Sequence, residues 1–98
     1  MTTGTISTLN RVRSNLQSLS SQKVEANKTY QWTEDVFPLA GYKPVGIVGW
    51  YTGTNSTNFT MYVCRLWNND TQIQFGLRNE TNVDATVAPS VNVLYAKI

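Results

Sequence analysis

Ninety-eight residues, 41% hydrophobic and only 14% charged against roughly 25% in an average soluble domain, describe one domain with a modest core. A net charge of +2 without a contiguous basic run excludes a counterion-release surface for nucleic acid, and no apolar stretch is long enough to span a bilayer. A single cysteine, Cys64, excludes an internal disulfide.

Polarity comes instead from thirteen Thr, ten Asn and seven Ser. This hydroxyl- and amide-rich composition suits β-structure on an extracellular or virion surface. The first ten residues are Thr-rich and lack a charged region followed by an apolar block, so no signal peptide is expected. Leu9, Val12, Leu16 and Leu19 then follow a 3-4-3 spacing, the narrow seam of a helix about two heptads long. Ser, Asn and Gln between them are indifferent helix formers, so such a helix needs a partner. The spacing predicts an N-terminal helical stem or anchoring segment over 1–26 that self-associates through Leu9, Val12, Leu16 and Leu19. Arg11, Arg13, Lys23 and Lys28 on this segment are expected to be solvated charges.

From residue 27 the pattern is that of strands, and 27–98 is expected to form an antiparallel β-sandwich. A strand over 27–37, with Tyr30 and Trp32 on one face, ends at Pro38, which cannot donate to a ladder. Gly41 supplies a turn. The run Val45–Tyr51 is apolar on both faces, with Val45, Ile47 and Tyr51 opposite Val48 and Trp50. It predicts the most buried strand of the domain, covered on its outer side by neighbouring subunits. Residues 52–58 form a hairpin loop of Thr, Asn, Ser and Gly, and Phe59–Trp67 is the next strand. Asn68-Asn69-Asp70 is a turn of residues that tolerate left-handed backbone. Gln72–Arg78 places Ile73, Phe75 and Leu77 inward. A turn over 79–82 and a short strand over 83–88 lead to Pro89, and Val91–Lys97 alternates to the end. The fold class is mainly β: a small antiparallel sandwich of five to seven strands preceded by a short N-terminal helix.

Catalytic chemistry has little to work with. The chain holds no histidine, and Glu34-Asp35, its adjacent acidic pair, points to opposite faces of a strand. No enzyme activity, cofactor or metal is expected, and Cys64, in an apolar context, is expected to be an inert thiol. Asn27, Asn55, Asn58, Asn69 and Asn79 each begin an Asn-x-Ser/Thr triplet. Turn asparagines followed by strand threonines give the same pattern for structural reasons alone. The remaining constellation is aromatic. Trp50, Tyr51 and Trp67 lie beside loops bearing Asn55, Asn58, Asn69 and Asp70, and flat rings with amides and a carboxylate suit a sugar. These seven residues are candidates for glycan or receptor contact.

Gly41-Tyr42, Pro44-Val45-Gly46, Arg78-Asn79 and the terminal strand with Leu94-Tyr95 resemble the small β-sandwich domains of bacteriophage virion appendages. These include tail-fibre heads, baseplate receptor-binding proteins and capsid-fibre or decoration proteins. The resemblance implies a structural protein of the virion surface, made in the host cytoplasm. It further implies a homotrimer, attached to other virion proteins through its N-terminal segment and a candidate to contact host-surface polysaccharide. A non-catalytic carbohydrate-binding or adhesion module is the alternative. Neither involves nucleic acid or membrane insertion.

Overall fold

The computed structural model describes residues 11–52 and 58–98. Eight strands follow in chain order: β1 (Val12–Ser18), β2 (Gln22–Val24), β3 (Thr29–Asp35), β4 (Tyr42–Tyr51), β5 (Phe59–Trp67), β6 (Gln72–Asn79), β7 (Ala85–Val87) and β8 (Ser90–Lys97). All pairings are antiparallel. One three-stranded sheet has the order β1-β8-β4 and a second the order β3-β6-β5, while β2 and β7 pair separately.

The central strand of each sheet supplies the core. Ile73, Phe75 and Leu77 of β6, and Val91, Val93 and Tyr95 of β8, are all essentially inaccessible. Their period-2 alternation puts three side chains of each strand on the inner face. Each such apolar burial contributes about 1.5–3 kcal/mol. Trp32 of β3 and Trp50 of β4 pack on Phe75, with ring centroids at 5.4 and 5.9 Å, so one phenyl ring joins the two sheets.

The expected N-terminal helix is replaced, in its described part, by strand. Val12–Ser18 pairs along its whole length with β8, from Val12 opposite Ala96 to Ser18 opposite Ser90. Strand alternation divides the supposed seam: Val12 and Leu16 stand exposed on the outer face, whereas Leu19, just past the strand, is buried in the core. Leu9 lies outside the described residues. A ladder shared with β8 satisfies the backbone of a Ser/Asn/Gln-rich segment that would form a poor helix. Strands within residues 12–24 therefore join the antiparallel sheets, β1 with β8 and β2 with β7.

Strand β4 also departs from expectation. It lies at an edge of its sheet and is mostly half-buried, the most buried strands being β6 and β8. Register shifts between Pro44 and Gly46 and between Ile47 and Gly49 mark two irregularities against β8. Each adds one residue, so parity changes twice. Ile47 and Trp50 consequently both pack on the core, while Val45 and Val48 both face outward.

The turns match their residues. Asn69 and Asp70, with φ of 57° and 63°, are the central pair of a turn closed by Thr71 N–H donating to the Asn68 carbonyl at 3.3 Å. Asn68 too has positive φ, 54°, and asparagine and aspartate enter the left-handed region more readily than most residues. Gly41, at φ 83°, opens β4.

Candidate functional site

The structure separates the expected ligand-contact residues into two groups. Trp50, Tyr51 and Asn58 lie where β4 ends and β5 begins, whereas Trp67, Asn69 and Asp70 lie where β5 ends. The nine residues of β5 stand between them, a span of roughly 30 Å. Trp50 turns inward onto Phe75, and Tyr51 is exposed at the strand end. The Asn58 carbonyl accepts the Glu80 amide at 2.9 Å. Asn55 lies outside the described residues.

The other end is the more open one. Trp67 is exposed on the outer face of β5, and the Arg65 guanidinium sits 4.6 Å from its ring centroid. Arg65 is itself held by the side chain of Gln74, whose Oε1 accepts from Nε at 2.7 Å. Asn69 and Asp70 are fully displayed on the turn. Beside that turn is a cleft of about 350 Å³, lined by residues 36–40 and 42–44 together with Asp70 and Thr71. Its walls are joined by the Val36 amide, which donates to the Thr71 carbonyl at 3.0 Å. Phe37, Pro38, Leu39, Tyr42 and Pro44 make it apolar and aromatic, and Asp70 and Thr71 supply polar groups. Neither Lys43 nor Asp70 has an ion-pair partner among the described residues.

Of the cleft residues, only Asp70 is singled out by sequence reasoning. The available signal is Phe37: an aromatic between a strand and a proline, where the chain leaves one sheet for the other. Its exposure is a tertiary property that periodicity does not carry.

A different surface covers the outer side of the first sheet. On the outer face of β1-β8-β4, Val12, Leu16, Val45 and Val48 are 46–59% exposed, and Leu94 and Ala96 lie half-buried between them. An added Cβ at Gly46 or Gly49 would meet nothing within 4 Å. Lys43, opposite Ala96, is the charged residue in register with this face.

Other polar groups are occupied in holding the fold. Asn79 is fully buried, and its amide donates to the Val24 and Val83 carbonyls at 3.0 and 2.8 Å. Its oxygen accepts from the Thr81 amide and hydroxyl at 2.9 and 2.7 Å. That occupation explains its triplet without any modification. Bonds from Thr60 and then Arg78 hold the Glu80 carboxyl below its usual range; the Ala26 amide and then Lys23 do the same for Asp84. Burial pushes the Cys64 thiol up to about 11.

Among the described residues no three His, Cys, Asp or Glu side chains gather where they could hold a metal, and no helix is long and apolar enough to cross a membrane. No family model matches the chain, and no curated protein or solved structure is found similar to it.

Proposed function

We propose that the chain is a non-catalytic structural domain of the bacteriophage virion-appendage kind, displayed on a fibre, baseplate or capsid. Copies assemble through the outer face of β1-β8-β4, as a homotrimer by the resemblance of the sequence to such domains. The remaining surfaces face outward, where host glycans are the candidate ligands. What supports the reading is the apolar outer face itself. A sheet in a monomer ordinarily alternates apolar-in and polar-out, but here Val12, Leu16, Val45 and Val48 point away from the core. Contiguous apolar surface of this sort marks an interaction site. A near-neutral face also meets its own copy without like-charge repulsion, which favours self-association over a strongly charged partner.

Light scattering on the purified chain tests this. An oligomer at micromolar concentration that Leu16→Glu converts to a folded monomer agrees with the proposal; a strict monomer contradicts it. The second reading, a monomeric carbohydrate-binding module, is favoured by the aromatic cleft. It requires glycan binding by a chain that remains monomeric.

A further inference from the structure

Two buried polar side chains are committed to one exposed residue. Gln17 of β1, 3% exposed, accepts the Phe37 amide proton through Oε1 at 2.9 Å and donates its own amide to the Asp35 carbonyl at 2.9 Å. Tyr95 of β8, 1% exposed, donates its hydroxyl to the Phe37 carbonyl at 2.7 Å. Both backbone groups of Phe37 are therefore held by side chains from the opposite sheet, while its ring is 57% exposed. Backbone groups at a crossover between sheets need partners, but at a solvent-facing position water supplies them at little cost. Anchoring them from inside the core requires ordering a glutamine and desolvating a phenol. The consequence is an aromatic ring whose backbone is fixed before anything binds.

That ring lines the cleft of about 350 Å³ whose polar side chains include Asp70 and Thr71. The volume is within the range of small-molecule sites, and a mostly apolar lining with a few convergent polar groups is their usual composition. The turn carrying Asp70 and Thr71 is itself fixed, since the Thr71 hydroxyl donates to the Asn68 carbonyl at 2.7 Å.

We propose that this cleft is a carbohydrate site in which Phe37 receives the C–H face of a sugar ring and Asp70 and Thr71 receive its hydroxyls. The assignment deepens the display reading above by naming the surface that would meet host glycans, but it needs no assembly. An apolar side chain from a partner protein would cover Phe37 equally well. It would also strip water from Asp70 and Thr71 with no hydrogen bond in return, which is unfavourable. A sugar offers both a C–H face and hydrogen-bonding groups.

The test uses the full chain, isotopically labelled, in amide correlation spectra. An oligosaccharide array first selects a probe; free glucose, galactose, mannose and N-acetylglucosamine at tens of millimolar serve alongside it. The expected result is saturable shifts confined to amides of residues 36–43 and 70–71. Phe37→Ala should weaken the binding about tenfold or more, and Asp70→Asn should weaken it while leaving the rest of the spectrum in place. Both substitutions alter exposed side chains, so the spectrum itself reports whether the fold survives. Absence of binding across array and sugars overturns the proposal. So do shifts that Phe37→Ala leaves unchanged, shifts centred on Trp67 or Tyr51, and shifts produced by an aromatic-rich peptide but by no sugar. Sugar binding by a monomer retains this site and removes the assembly reading; an oligomer that binds no sugar does the reverse.

Discussion

The hydroxyl of Tyr95, at the heart of β8, reaches across to the backbone carbonyl of Phe37 and binds it at 2.7 Å. With Gln17 bound to the amide of the same residue, this bond ties the first sheet to the segment leaving the second. Tyr95→Phe keeps the ring and removes the bond, and is expected to cost about 1–2 kcal/mol in urea unfolding. Gln17→Leu, which leaves the Phe37 amide and the Asp35 carbonyl without their partner, is expected to cost at least as much. Burial raises the Tyr95 pKa above its ordinary 10.0. The protonated form is thus favoured in the folded state: its contribution is complete below that pH and is lost as pH rises through the higher folded value. Stability of the parent should fall more steeply at strongly alkaline pH than that of Tyr95→Phe.

Asn79 organises the 79–84 connection with four hydrogen bonds from a fully buried amide. Asn79→Leu keeps comparable volume but takes their Asn79 partner from the Val24 carbonyl and the Thr81 amide, while the Val83 carbonyl keeps the Thr81 hydroxyl at 3.0 Å, so a loss of about 2–4 kcal/mol is expected. Thermal unfolding monitored by circular dichroism measures it. A change below half a kcal/mol would mean that water takes over the network.

Two glycines in strands should respond oppositely to alanine. A Cβ at Gly76 would meet Val63 Cγ1 at 3.0 Å and the Tyr30 carbonyl at 3.3 Å. Overpacking there is expected to cost about 1–3 kcal/mol. Gly49→Ala meets open space and is expected to be neutral or slightly stabilising through the unfolded chain. Denaturant midpoints of the two variants, compared at equal association state, decide this.

Cys64 faces the core opposite Phe75, and burial raises its thiol to about 11. The thiolate is scarce at pH 8, so iodoacetamide should label the native chain slowly and the denatured chain quickly. Because the folded pKa lies above the ordinary 9.0, the thiol's contribution to stability is present below pH 9 and lost as pH rises towards 11. Rapid native labelling at pH 8 would contradict the placement.

Much of the antiparallel β-architecture is legible from local pattern. Ile73, Phe75 and Leu77 alternate cleanly and face inward, as do Val91, Val93 and Tyr95, because a strand buried on one face has little freedom of register. Asn69-Asp70 announced its turn through residues that accept positive φ. The N-terminal strand was not legible. Val12, Leu16 and Leu19 have helical spacing by coincidence, and only the ladder with β8, more than seventy residues away, decides between the alternatives. Bulged β4 misled for another reason: two extra residues changed which of Val45, Ile47, Val48 and Trp50 share a face. As for the candidate site, Trp50 and Trp67 look equivalent in sequence, yet one packs on Phe75 and the other meets solvent. Phe37 drew no notice, since its prominence depends on Gln17 and Tyr95.

The most direct measurement of the account is the mass of the native assembly by light scattering, for the parent chain and for Leu16→Glu and Val48→Glu. Both positions are 59% exposed, so neither substitution should perturb the fold. The account predicts a trimeric parent at micromolar concentration and folded monomers for both variants. A monomeric parent, or an assembly that survives both charges, would contradict it.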